Sequence, residues 1–91
     1  MREYKHKLME RTPEEIHVLP EFKALLKIVE KENLNDKADV LSYLVIEITK
    51  QDNLLKTARG SSTSNRLRAK YSEWADTLRR IKSLVNKYVK E

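Results

Sequence analysis

The last third of the chain spaces its apolar residues by alternating steps of four and three: Leu67, Tyr71, Trp74, Leu78, Ile81, Val85 and Tyr88. This spacing returns one apolar side chain per turn to the same side of an α-helix, whereas a strand of period two would scatter the set over both faces. The segment is therefore committed to a long helix with one buried seam. Arg66, Arg68, Lys70, Arg79, Arg80, Lys82 and Lys87 lie on the same helix. It is the most regular apolar element of the chain and also the most basic.

Helix suits the rest of the sequence too. Among 91 residues there are one glycine and two prolines, and 36% are charged, as in amphipathic helices with solvated outer faces. Positive charge is unevenly spread. Residues 1–58 hold ten Lys and Arg against eleven Asp and Glu, and residues 59–91 hold nine against three, so the last third carries the whole excess of +5.

Start and stop signals divide the chain. Thr12-Pro13-Glu14-Glu15 has the form of a capping box and predicts a helical turn from Pro13. Pro20 should end that turn and open a second helix reaching about Glu32, with Phe22, Leu25, Leu26 and Val29 as its buried stripe. Asn33-Leu34-Asn35-Asp36 interrupts the pattern, and Asp36 is the candidate N-cap of a third helix from Lys37 to about Ala58. There Leu41, Leu44, Val45, Ile48 and Leu55 share a face. Val40, Leu44, Ile46 and Ile48 also fit a strand, but some twenty residues without Gly or Pro are long for a strand and ordinary for a helix. Gly60 is a candidate C-cap, residues 61–65 a serine-rich connector, and the last helix should run from about Ser64 to Tyr88. In the arm, residues 1–12, Tyr4 and Leu8 suit a short helix, while Arg2, Tyr4, His6 and Leu8 also alternate as in a strand. The expected fold is an all-α bundle: three main helices, a short N-terminal helical turn, and the longest helix last. Residues 13–60 would form a helical hairpin region and 66–91 the basic amphipathic helix.

Sharper chemistry finds little support. A chain of this length buries roughly 60–68% of its unfolded surface, enough for one modest core but not for a deep cleft. There is no cysteine, and His6 and His17 have no zinc-ligand spacing. Glu30, Glu32, Asp36 and Asp39 bracket a turn without the alternation and glycine of a calcium loop. Ser61, Ser62 and Ser64 lack a nucleophile's context, although a neighbouring basic helix makes them reasonable phosphorylation sites. No enzyme activity, cofactor, metal or small-molecule substrate is expected. With neither a signal-peptide apolar region nor a membrane-length apolar run, the expected location is cytoplasmic, away from membranes.

Nucleic acid is the natural partner to test for a basic chain. Phe22–Val29 and Lys37–Ile48 can be drawn as a helix-turn-helix, but the second segment would offer Asp39, Ser42, Tyr43 and Glu47 to a phosphate backbone. The stretch Glu30-Lys31-Glu32-Asn33-Leu34-Asn35-Asp36-Lys37-Ala38-Asp39-Val40-Leu41 resembles the inter-helix turn and second helix of ribbon-helix-helix repressors, with Glu3 to Met9 where the ribbon would lie. That resemblance covers about half the chain on generic residue types, and Pro20 departs from it by interrupting the family's first helix. It implies a DNA-binding regulator with a strand in the arm.

The seam admits three uses: packing on the chain's own helices, self-association, or docking on another protein. Three aromatics among seven seam positions are poor knobs for a two-stranded coiled coil and favour broader pockets. A helix of about 25 residues is roughly 38 Å long, more than its neighbours can cover, so part of the seam should overhang. The function expected is a non-enzymatic protein–protein interaction module, a regulator or assembly adaptor that self-associates or binds another protein through Leu67, Tyr71, Trp74, Leu78, Ile81, Val85 and Tyr88. The alternative is a dimeric nucleic-acid-binding regulator contacting phosphates with Arg66, Arg68, Lys70, Arg79, Arg80, Lys82 and Lys87.

Overall fold

The computed structural model describes residues 2–59 and 65–90. They form helix α1 (Arg2–Arg11), a single 3₁₀ turn (Glu14–Ile16), and helices α2 (Pro20–Glu32), α3 (Lys37–Arg59) and α4 (Asn65–Tyr88). Among the described residues there is no strand, and the fold is an all-α bundle. The arm whose pattern admits both helix and strand is helical, with Tyr4 and Leu8 buried in the core. This removes the ribbon on which the resemblance to ribbon-helix-helix repressors depends. The Gly60 cap and the serine-rich connector, apart from Asn65, lie outside the described residues.

Local chemistry sets most boundaries. Pro20 occupies the first turn of α2, where its missing N–H costs nothing. That helix ends at Asn33, which takes the left-handed conformation (φ 53°) and lets the Leu34 amide donate to the Val29 carbonyl at 3.1 Å. At the start of α3 the Asp36 carboxylate accepts from the Asp39 amide at 2.8 Å, the N-cap its sequence predicts.

The capping box at Thr12 does not form. Pro13 stands at the N-cap of the 3₁₀ turn without a side-chain bond, while the buried Thr12 hydroxyl turns back and donates to the Leu8 carbonyl at 2.6 Å. Having one proton to give, that oxygen accepts from His17 Nε2, 2.8 Å away, which fixes a proton on that nitrogen. The His17 ring stacks on Phe22 at 4.8 Å. Thr12 and His17 thus lock α1 to the start of α2.

The core draws Tyr4 and Leu8 from α1, Phe22, Leu25, Ile28 and Val29 from α2, Val40 and Leu44 from α3, and Leu78, Ile81, Leu84 and Val85 from α4. Two positions differ from the sequence reading. Ile28 is buried where Leu26 was expected, because α2 lies between α1 and α4 and Leu26 turns to the α1 side beside Met9. Val45 is 46% exposed, since the stripe of α3 runs through Val40, Leu44 and Gln51.

Helix α4 makes its most extensive contact with α3 and also rests on α2, while α1 packs on α2. At 23 and 24 residues, α3 and α4 are nearly twice the length of the 13-residue α2. The Arg80 Nε to Glu21 Oε1 contact of 3.3 Å places the first turn of α2 beside the middle of α4. Residues of α4 ahead of Trp74 therefore extend beyond α2, consistent with overall dimensions of 47 × 23 × 19 Å.

Candidate interaction surface

Along α4 the predicted seam divides. Leu78, Ile81 and Val85 are fully buried with Ala75 and Leu84, so they anchor α4 within its own domain and are not presented to a partner. Neighbouring helices already occupy the space around them. Tyr88 is half-buried against the same core at the far end. From Asn65 to Trp74 no side chain is fully buried: Leu67 is 41% exposed, Tyr71 is half-buried, and Trp74 is half-buried and packed against the edge of the core. This half of the seam is the less covered of the two.

The basic residues divide in a similar way. Arg79 is held by Asp52 of α3 (2.7 Å) and Asp76 (3.5 Å), and Arg80 by Glu21. The Arg79 pairs are exposed and the Glu21 side chain is partly buried; such surface pairs contribute roughly 0–1 kcal/mol each, yet they place carboxylates beside both guanidinium groups. Lys82 is half-buried, and Lys87 lies 5.3 Å from the centre of the Tyr88 ring. Arg66, Arg68 and Lys70 stand exposed on the overhanging half, with Arg68 donating to the Asn65 side chain. The seven residues therefore differ in their surroundings: Arg79 and Arg80 stand beside carboxylates of α2, α3 and α4.

A groove of about 520 Å³ begins at Trp74 and follows α2, lined by Pro20, Lys23, Ala24, Lys27, Ile28, Lys31, Glu32 and Tyr43. Its ends are fixed by chemistry. Pro20 and Trp74 mark the end near the Glu21–Arg80 pair. At the other end burial, with smaller contributions from the Glu47 and Glu32 carboxylates, raises the pKa of the Tyr43 phenol, which stays a protonated donor at neutral pH. Ala24 and Ile28 supply apolar lining, and Lys23, Lys27 and Lys31 stand exposed one helical turn apart. None of the three lysine side chains forms an ion pair with a described residue.

Sequence reasoning missed this lysine row and Tyr43. The i, i+4, i+8 spacing was visible, but only packing shows that it borders a groove ending at Trp74. His17 is accounted for by its bonds to Thr12 and Phe22, and no cluster of three His, Asp or Glu among the described residues could hold a metal ion. No helix among them is long and apolar enough to cross a membrane. No family model, curated protein sequence or solved structure matches the chain.

Proposed function

We propose that this protein is a non-enzymatic interaction module that docks another protein through the aromatic half of α4, with Leu67, Tyr71 and Trp74 as anchors. The observation that carries the reading is the contrast within one helix: the heptad pattern continues through Asn65–Trp74, yet no side chain there is buried. Tyrosine, tryptophan and arginine side by side, as in Tyr71, Trp74, Arg66 and Arg68, are the residue types enriched at protein-binding surfaces. Self-association through this face is the weaker variant. A two-fold interface brings the same patch of both copies together, and Arg66, Arg68 and Lys70 would then face their own kind.

Nucleic-acid binding is the second reading, favoured by the exposure of those same three residues. The carboxylates beside Arg79 and Arg80 count against it, since they would face the phosphates as well. Photo-crosslinking separates the two. With a photoreactive residue at position 67 or 71 in cells, the proposal predicts protein adducts that are missing from a control at Ile46, which is 67% exposed on α3. Adducts to nucleic acid alone would establish the second reading, and no position-specific adduct would refute both.

A further inference from the structure

We infer that the partner is an acidic amphipathic helix, seated in the groove along α2 with its apolar residues between Trp74 and Tyr43 and its carboxylates on Lys23, Lys27 and Lys31. The inference rests on the docking reading above, with which it shares the Trp74 anchor, and adds the occupant's chemistry and its course along α2.

Three observations converge. Trp74, Tyr43, Ala24 and Ile28 form a strip with an aromatic ring near each end, suited to apolar anchors at the i, i+3/i+4, i+7 spacing of one helix face. Three lysines against one glutamate line the groove, and none of the lysines is neutralised by a described carboxylate, unlike Arg79 and Arg80. Spacing supplies the third. Residues four apart on a helix rise by about 6 Å, so Lys23 to Lys31 present a row of charge about 12 Å long. A second helix lying alongside α2 repeats its own side chains at that interval, and Asp or Glu at i, i+4 and i+8 would meet all three lysines in register. Duplex DNA offers charge without apolar side chains for the strip between Trp74 and Tyr43. A second copy of this chain brings a net positive charge.

The chain's single tryptophan lies at the mouth of this groove, so its fluorescence reports occupancy directly. The test is a selection from a displayed library of 18-residue helical peptides with randomised surface positions, using the full chain as bait, followed by fluorescence titration of the enriched peptides. Enrichment of apolar residues flanked by Asp or Glu at i, i+4, i+8 is expected, with a saturable shift of Trp74 emission. The variant K23E/K27E/K31E, altered only at exposed positions and checked for unchanged helicity, should bind about tenfold more weakly or worse. Exchanging the peptide's carboxylates for lysine should restore binding to that variant.

Enriched peptides without excess carboxylate, or binding undiminished by the triple substitution, would overturn the inference. The docking reading would still stand if Trp74→Ala or Tyr71→Ala abolished their binding. Peptides indifferent to both the lysines and the aromatics would refute inference and reading together. Displacement of the peptide by duplex DNA of equal affinity, or by doubling of the protein's mass on concentration, would assign the groove to a different occupant.

Discussion

From Ala75 onward α4 buries Ala75, Leu78, Ile81, Leu84 and Val85, while from Asn65 to Trp74 the same helix, with the same heptad spacing, buries no side chain. The two halves differ in their neighbours. Both run beside α3, but α2 comes no nearer the first half than Trp74, with which it shares a groove, whereas the second half joins a core that also holds residues of α1 and the 3₁₀ turn. Periodicity decides which face of a helix is apolar; the lengths of the surrounding helices decide how much of that face is covered. A two-helix pair shields one side of a seam, and a third helix is needed to close it.

The largest effect that could break this contrast is on stability. Leu78→Ala or Ile81→Ala should lower the unfolding free energy by about 2–5 kcal/mol, because each leaves a cavity in a filled core. Leu67→Ala, one heptad or more away on the same seam, should change it by no more than about 0.5 kcal/mol. Urea denaturation followed by circular dichroism measures both, and equal losses would erase the distinction between the halves.

Binding should show the opposite order. Trp74→Ala is expected to remove about 2 kcal/mol or more of partner affinity, as aromatic anchors near the centre of an interface do. Arg79→Ala and Arg80→Ala should each cost less than 1 kcal/mol, about the contribution of a surface ion pair. Calorimetric titration with a selected peptide would show which group dominates. A larger loss at Arg79 and Arg80, with steep salt dependence, would move the account toward phosphate recognition.

A smaller change serves as a control. Asp36→Ala removes the N-cap of α3 at the packed end and should lower stability by about 1 kcal/mol while leaving partner affinity unchanged. A change in affinity would mean that the two ends of the hairpin are coupled.

What could be read from the sequence alone was mostly what is decided within a few residues. Pro20 and the Asn33–Asp36 break delimit α2, and Asp36 caps α3, because each acts on its own backbone. The Thr12 capping box shows where such reasoning fails. Its residue types are right, but Leu8 and His17 compete for the hydroxyl and win, since satisfying them joins two helices within a buried corner. Long-range placement was out of reach. The alternating pattern of α4 does not say where α2 begins beside it, so Leu78, Ile81 and Val85 looked as available as Leu67. For the same reason the sequence does not single out Lys23, Lys27 and Lys31, whose groove is made by packing between α2, Tyr43 and Trp74.

Residue-resolved native-state hydrogen exchange along α4, with and without a selected peptide, tests the division of this helix most directly. In the free protein, amides from Leu78 to Val85 should open only with global unfolding, while those from Arg68 to Trp74 should open at a small fraction of that free energy, with peptide binding adding protection around Trp74. Uniform protection along α4 in the free protein, unchanged by peptide, would contradict the account.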